Sequence, residues 1–349
     1  MSLSAATEEL KIDWSIQEDE DRIGEFQGRI DRRELVEPGD WMPHNYRVGM
    51  LRVAEHHANS EIVGALPEGE WITRAPSLRR KLALIAKVQD EVGHGQMLYR
   101  VSQDLGKTRD QMLRDLITGK TRYHNVFNYP APTWADVAMI QWLIDGAAIL
   151  NQKSLAEGSC GPYIRIMKRI NMEEAFHFKS GEDMVLTLMS GTRRQKQMCQ
   201  EAFDRWWWPT IMFFGPPDKE STKTGPFMVW RIKTATNDTL RQKFIDRFVP
   251  AALDLGLKIH ISVKDENGII KRKPDGTLDQ IEDPELRYDQ EAGHWRFSRP
   301  DWDEFYRVIN GDGPCNKQRV ALRRFSYEQG AWVRRTVLGQ YAGLPPSRN

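Results

Sequence analysis

Two copies of a Glu-x-x-His motif constrain the fold of this chain more than any other feature. The first copy is Glu91/His94 and the second is Glu174/His177, and each lies in a stretch with helical periodicity. Residues three apart share one face of a helix, and apolar residues at helical spacing lie on that same face. An ionised carboxylate that faces a core is costly unless it is paired or binds a metal. The two motifs therefore predict a metal site inside a helical bundle.

A bundle that binds two metal ions in this way needs one further carboxylate from each of two other helices. Glu61 lies thirty residues before Glu91, and Asp145 lies twenty-nine residues before Glu174 among almost wholly apolar neighbours. The matched spacing predicts a set of six catalytic metal ligands: Glu61, Glu91, His94, Asp145, Glu174 and His177.

Other carboxylates and imidazoles near these positions are open alternatives. Glu173 lies four residues before His177, so it could also reach the site. The symmetry with the first motif favours Glu174. His56 and His57 precede Glu61 by about one turn, which favours a supporting role over ligation.

A third pair, Glu291/His294, serves as an internal control for the motif. It lies in a polar, apparently non-helical stretch with no matching carboxylate helix upstream, so we assign it to structure. A lone pair of this kind also fits a satisfied core residue or a surface ion pair. The matched carboxylates make the metal interpretation of the other two pairs stronger.

The predicted donor set indicates which metal is bound. Four carboxylates with two imidazoles suit redox iron better than zinc, which prefers four-coordinate sites richer in nitrogen or sulfur. Manganese remains possible.

The rest of the pattern predicts an all-α protein, a bundle of long antiparallel helices. Pro67 is expected to stop the first of these helices, and Thr133 is a plausible N-cap. In residues 257–299, apolar residues alternate with other residues and a turn signal is present, which predicts a β-hairpin or irregular insertion. The helical stretches are 46–66, 76–105, 109–118, 134–157, 163–190, 193–213, 226–255 and 300–342.

We expect three regions along the chain. Residues 1–40 form an extended N-terminal arm, 41–215 a ferritin-like four-helix bundle with the metal site, and 216–349 a C-terminal helical extension packed on the bundle.

Composition narrows the class of protein. Fifty basic residues balance forty-nine acidic ones, which argues against a nucleic-acid or anionic-membrane binder. The acidic N-terminus lacks an apolar signal core, and no apolar run is long enough to span a bilayer.

Three widely spaced cysteines indicate reduced thiols in a cytoplasmic protein. The Trp206–Trp208 run predicts a large packed interface, either internal or with a partner.

At the predicted ligands, the sequence resembles the large catalytic subunits of the ring-1,2-phenylacetyl-CoA epoxidases, which are phenylacetyl-CoA monooxygenases. The likeness runs from about residue 35 to 340 and includes segments without ligands. The Asp in place of a fourth Glu also fits this family. The matching stretches surround Glu61, Glu91 and Asp145, and include Val126–Pro130 and Trp207–Pro216.

The resemblance implies a di-iron centre that activates O₂ and epoxidises the aromatic ring of phenylacetyl-CoA at C1–C2. It implies electrons from NADPH through a separate flavin and iron–sulfur reductase. It also implies two further partners, which are a structural ferritin-like subunit and a small accessory subunit. The chain has no GxGxxG fingerprint and no ferredoxin cysteine set, which agrees with an external electron source.

The family's CoA contacts are basic residues, and the matching positions are Arg52, Lys87 and, less closely, Arg122. One departure from the family is the stretch around 257–285, which is longer than the usual connection. Two other functions remain open: an epoxidase for another aromatic acyl-CoA such as benzoyl-CoA, and a metal-binding scaffold without catalysis. An inactive structural subunit is disfavoured, since all six ligands are present.

Overall fold

The computed structural model describes residues 12–13, 15–221, 224–266, 270–276 and 278–336. The predicted all-α class is confirmed, and the predicted β excursion consists of two small antiparallel pairs, β1–β2 and β3–β4. The helices are α1 Glu20–Asp31, α2 His44–Gly69, α3 Leu78–Asp104, α4 Arg109–Ile117, α5 Trp134–Met139, α6 Asp145–Leu155, α7 Gly161–Met189, α8 Arg193–Ile211, α9 Thr224–Val229, α10 Asn237–Asp254, α11 Trp302–Arg307 and α12 Asn316–Thr336. The strands are β1 His260–Ser262, β2 Gln280–Glu282, β3 Arg287–Asp289 and β4 His294–Arg296.

The ferritin-like bundle is built from α2, α3, the α5–α6 pair and α7. Helix α2 packs along α3, and α7 packs against α3, α5 and α6. The buried apolar residues of the chain form two large clusters. Trp206 and Trp207 are fully buried in the first of them, so this part of the tryptophan run packs internally.

Local signals fix several helix starts. Ser77 accepts a hydrogen bond from the backbone amide of Arg80 and so caps α3. Thr133 is the N-cap of α5, as predicted, and its backbone amide donates to Asp136 at 2.7 Å.

The predicted extended arm is wrong in part, because α1 lies within residues 1–40. Asp19 caps this helix, and Phe26 and Ile30 are buried against the bundle. The apolar spacing is too sparse to stand out in a charged segment. Residues 1–11 of the arm lie outside the described residues.

Three helix boundaries also differ from the predictions. Pro67 does not stop α2, which includes it and ends at Gly69. The predicted 226–255 helix is divided into α9 and α10 by residues 230–236. The predicted C-terminal helix is interrupted after α11, where Gly311 has φ 106°, and its predicted end beyond 336 lies outside the described residues.

None of the helices in the described part of the chain combines the length and apolar character needed to cross a membrane.

Candidate metal centre

All six predicted ligands converge in the middle of the bundle. Helix α2 carries Glu61, α3 carries Glu91 and His94, α6 begins at Asp145, and α7 carries Glu174 and His177. Each is buried. Single donor atoms of the first group, Glu61, Glu91, His94 and Glu174, lie within 4.8 Å of one another, and so do those of the second group, Asp145, Glu174 and His177. Glu174 belongs to both groups, so its carboxylate lies between two sets of donors that could each hold a metal ion.

The two imidazoles point the same kind of nitrogen into the site. His94 Nδ1 lies 3.5 Å from a Glu91 oxygen and 3.6 Å from a Glu174 oxygen. His177 Nδ1 lies 3.3 Å from Glu174 and 3.5 Å from Glu91. His94 Nδ1 is buried and has no hydrogen-bond partner. A buried, unpaired nitrogen that faces several carboxylates fits a metal ligand, because such an atom is costly unless it coordinates or donates.

The opposite nitrogens of both rings bind outer carboxylates. His94 Nε2 lies 2.7 Å from Glu173, and His177 Nε2 lies 3.2 Å from Asp90. Metal-binding histidines commonly hold a carboxylate in this way, which fixes the ring and its tautomer. Glu173 contacts the outward nitrogen of His94 and is in neither of the two donor groups, which favours Glu174 as the proposed ligand.

Lys87 supplies positive charge inside the same cluster. Its ammonium nitrogen contacts Glu91 and lies 3.0 Å from Glu68 and 3.2 Å from an Asp145 oxygen. Burial alone would lower the pKa of Lys87, but the carboxylates around it hold that pKa well above its usual value. The ammonium is therefore charged in this setting.

Burial and mutual repulsion act on the carboxylates. Burial and the charge of Glu91 raise the pKa of Glu174. Burial also raises the pKa of Asp145, against the attraction of Lys87. Crowded buried carboxylates gain stability when cations neutralise them. Four carboxylates and two imidazoles are a donor set that suits iron or manganese.

The predicted role of Lys87 as a CoA contact is contradicted by this placement. Its side chain is 4 % exposed, and its charge is directed at Glu68, Glu91 and Asp145. The i to i+4 spacing from Lys87 to Glu91 puts both on the inward face of α3. That spacing was present in the sequence and indicates the interior rather than an outer opening.

Glu68 is a buried member of the centre that the sequence analysis missed. It accepts a hydrogen bond from Gln141 at 2.9 Å and pairs with Lys87. The signal for it was its position seven residues after Glu61, which places both on one face of α2.

A π-helical stretch, Ile140–Ile144, joins α5 to α6 directly before Asp145. A π-helical turn contains one more residue than an α-helical turn, so it changes the direction in which the next side chain, Asp145, leaves the helix. Such turns occur often at functional sites. Gly181 of α7 packs closely here, since a Cβ on it would lie 2.4 Å from the Gln141 carbonyl carbon.

His57 links Glu61 to the opposite helix. Its Nε2 lies 2.7 Å from a Glu61 oxygen, and its Nδ1 lies 2.8 Å from the hydroxyl of Tyr163. His57 therefore takes the supporting role that the sequence suggested for this pair. His56 packs edge-on against His124, at 4.6 Å between ring centres.

Two adjacent cavities lie at and beside the centre. The inner one, about 30 Å³, is lined by Glu61, Glu68, Glu91, Asp145 and Glu174. The outer one, about 390 Å³, is lined by Arg52 and Arg122. Both cavities are lined by four common residues: His57, His124, Asn151 and Phe213.

The outer cavity also contains Lys233, a basic residue that the sequence analysis missed. Burial lowers the pKa of Lys233 to about 8. Its ammonium donates to Asn237 at 2.6 Å. Nothing in its local sequence marks it, because it lies in the unpredicted connection between α9 and α10.

The control pair Glu291/His294 lies outside the centre, as expected. The His294 side chain is 54 % exposed and pairs with Asp246 at 2.7 Å. The structural assignment of this pair agrees with its surface position.

Comparison with known proteins gives two matches. The family model described as phenylacetic acid catabolic protein matches residues 27–332. The chain is also 45 % identical over 313 residues to a protein of Escherichia coli (strain K12) that is named as one of the subunits of 1,2-phenylacetyl-CoA epoxidase. The alignment covers 90 % of this chain and 94 % of that protein.

Proposed function

Because the chain belongs to the phenylacetic acid catabolic protein family, we propose that it is the catalytic subunit of a multicomponent di-iron monooxygenase. Its proposed substrate is phenylacetyl-CoA, whose aromatic ring is epoxidised at C1–C2 during aerobic phenylacetate catabolism. The observation that carries this proposal is the pair of buried donor groups joined at Glu174, next to a cavity with basic residues.

The proposed ligands are the six residues predicted from the sequence. Two iron ions held by them would supply the redox chemistry that reduces O₂. The overall reaction takes O₂, two electrons and two protons, and it yields the epoxide and one water. The electrons are proposed to come from NADPH through a separate flavin and iron–sulfur reductase.

The chain's own residues prepare the site. Glu173 and Asp90 fix the two imidazoles, and His57 with Tyr163 holds Glu61. The small inner cavity limits the water that can reach the centre, which protects reactive species from side reactions.

The outer cavity supports a CoA thioester as substrate. Arg52, Arg122 and Lys233 bring positive charge to its lining, which suits the phosphates of CoA. Phe213, Phe214 and Phe227 give it apolar surface for the rest of the ligand. The proposed CoA contacts are therefore Arg52 and Arg122, without Lys87.

The chain is proposed to work in an assembly. The matching protein is named as part of a multi-subunit enzyme, which supports partner chains for this one: a structural ferritin-like subunit, the reductase and a small accessory subunit. A cytoplasmic location is proposed because Cys160, Cys199 and Cys315 are all unpaired and buried.

The test is turnover by the assembled complex. The complex is loaded with Fe(II), reduced without oxygen, and then given ¹⁸O₂ and phenylacetyl-CoA. Mass spectrometry is expected to show a product with one added labelled oxygen. Benzoyl-CoA is run in parallel, and a preference for it would contradict the proposed substrate. Bound metal without any NADPH-dependent product would favour a scaffold.

A further inference from the structure

A cluster of large aromatic side chains lies where the π-helical stretch Ile140–Ile144 meets α8 and α10. All its members are buried, and they are Trp142, Phe203, Trp207, Phe244 and Phe248. The centre of the Phe203 ring lies 6.3 Å from that of Trp142 and 5.0 Å from that of Trp207. A single ring therefore separates the two indoles. We call these five residues the tryptophan cluster.

One end of the tryptophan cluster lies beside the proposed metal ligands. Trp142 precedes Asp145 by only three residues in the same run of helix. The ring centre of Phe248 lies 5.6 Å from that of Trp142. It also lies 6.1 Å from that of Phe178, the residue that follows His177. Short stretches of backbone therefore join the cluster to two of the proposed ligands.

The other end of the tryptophan cluster reaches the surface through Trp208. This residue directly follows Trp207 in α8 and is partly exposed. Its indole N–H donates to the His260 carbonyl at 2.7 Å. Three indoles, those of Trp142, Trp207 and Trp208, therefore form a series that leads from the helix of Asp145 to the surface.

The indole nitrogen of Trp207 is unusual for a buried polar atom. It has no hydrogen-bond partner among the described residues, whereas the indole of Trp206 donates to Asp136 at 3.0 Å. A buried donor without a partner destabilises the fold. Phenylalanine would fill much of the same space without that cost, so packing alone does not explain an indole here. An indole differs from a phenyl ring in being much more easily oxidised.

We propose that Trp142, Trp207 and Trp208 carry electrons from the surface to the metal centre when no substrate is bound. The inference rests on the proposed function, because that reaction creates the need for these electrons. With substrate, one oxygen atom of O₂ enters the ring and the other leaves as water. Without substrate, the first atom must also become water, which takes two further electrons and two protons. If the indoles do not supply the electrons, side chains around the centre are oxidised instead.

Each electron crosses the protein in one-electron steps. Trp142 loses an electron to the centre and becomes an indole radical cation, which takes an electron from Trp207. Trp207 then takes one from Trp208, and a soluble one-electron reductant at the surface restores Trp208. Two such passages, with two protons from water, complete the reduction of the oxygen atom and leave all three indoles unchanged.

The test uses hydrogen peroxide as the oxidant, since it needs neither the reductase nor an acyl-CoA. The purified chain is loaded with Fe(II), freed of unbound iron and analysed for iron content. Samples frozen after mixing with peroxide are examined by EPR. We expect a tryptophan radical, whose spectrum narrows when the tryptophans carry deuterated rings, and no such radical in the iron-free chain. Ascorbate, as the soluble reductant, is expected to remove the radical from the wild type.

Two variants interrupt the series at different points. Trp207→Phe is expected to lose the reduction of the radical by ascorbate, so that oxidised residues near the proposed ligands accumulate in peptide mass spectrometry. Trp208→Phe is expected to have the same effect, and it changes a partly exposed position rather than the core. Trp134→Phe is the matched control, because Trp134 is partly exposed and packs on Trp71 outside the cluster, at 6.1 Å between ring centres.

An iron-loaded wild type that forms no tryptophan radical would overturn the inference. A radical that ascorbate removes from Trp208→Phe as fast as from the wild type would also overturn it, even if Trp207→Phe does not fold. Turnover of phenylacetyl-CoA by the complex is measured separately. Its absence in a chain that forms the radical would count against the proposed substrate and leave the inference standing, whereas a chain that binds no iron would contradict both.

Discussion

At the scale of single residues, the outer carboxylates decide which nitrogen of each imidazole faces the centre. Glu173 and Asp90 bind Nε2 of His94 and His177, so Nδ1 of both rings is left for coordination. Both carboxylates directly precede the proposed ligands Glu174 and Glu91 in the sequence. Adjacent residues on a helix point about 100° apart, so one carboxylate can face the centre while the other reaches across to the histidine of the facing helix.

The first prediction concerns Glu173. Glu173→Ala removes the group that holds His94, and metal affinity is expected to fall about 10- to 100-fold. A competition titration with a chromophoric chelator measures it. Asp183→Ala, on the same helix and paired only at the surface with Lys179, is the control. Equal affinities for the Glu173 variant and the control would show that the support has no effect.

The second prediction concerns the pH dependence of stability at Lys233. Burial lowers the pKa of this lysine to about 8 in the folded chain, whereas an unfolded lysine titrates near 10.4. Between these values the unfolded chain binds more protons, so folding stability rises with pH. The wild type is therefore expected to gain up to about 3 kcal/mol relative to Lys233→Met between about pH 8 and pH 10.5.

Urea unfolding midpoints of both proteins at pH 7.5 and 9.5 check this expectation. Lys258→Met serves as the control, because Lys258 is an exposed residue in an ion pair with Glu282. If the stability of the wild type and that of Lys233→Met changed by the same amount between pH 7.5 and 9.5, the assigned effect of burial would be contradicted.

Spacing along the sequence was enough to find the six convergent residues. Helical geometry puts the two residues of each Glu-x-x-His motif on one face of its own helix. The packing of a four-helix bundle then brings the four helices together around one centre. Whether the six residues bind metal stays a prediction. The role of Lys87 came from the family resemblance, and the face of α3 on which it lies was not taken into account. Glu68 was missed although it lies seven residues after Glu61 on the same face of α2. Lys233 could not be found, since its burial depends on chain segments far apart in sequence.

At the scale of the elements, the π-helical stretch Ile140–Ile144 is the feature that sequence patterns do not show. It lies inside a continuous run of buried and mostly apolar residues, where α-helical and π-helical turns have the same composition. Its close contact with α7 depends on Gly181, which has no side chain to separate the two helices.

The third prediction tests this contact. Gly181→Ala places a Cβ 2.4 Å from the Gln141 carbonyl carbon and 2.5 Å from the Trp142 nitrogen. Because backbone atoms cannot move aside cheaply, the free energy of unfolding is expected to fall by about 1–3 kcal/mol. Gly93→Ala in α3 is the matched control, since nothing lies within 4 Å of its Cβ position.

The control is expected to gain about 0.5–1 kcal/mol, because alanine favours a helix more than glycine does. Urea unfolding of the two variants measures both changes. A Gly181 variant as stable as the wild type would show that the helices do not need this close approach.

The long helices were predicted well because each has many apolar residues at helical spacing. The short α1 was missed because only Phe26 and Ile30 are buried on it. The breaks near Arg231 and Gly311 depend on positive φ angles, 51° and 106°, that a helical apolar pattern does not reveal.

At the scale of the whole molecule, buried contacts from the C-terminal helix α12 hold it on the bundle. Arg319 of α12 is buried, pairs with Glu70 at 3.2 Å and donates to the Phe127 carbonyl at 3.3 Å. Residues from distant parts of the chain, such as Arg52 and Ile309, line the outer cavity together. The proposed boundary at residue 215 between bundle and extension stays a prediction.

The central claim is that the chain binds two adjacent metal ions through its six convergent residues. Anaerobic loading with ⁵⁷Fe(II), followed by metal analysis and Mössbauer spectroscopy, tests it most directly. We predict two irons per chain that become a spin-coupled pair on oxidation, and loss of that coupled signal in Glu174→Ala, because Glu174 belongs to both donor groups. One iron or none in the wild type, or an unchanged coupled signal in the variant, would contradict the claim.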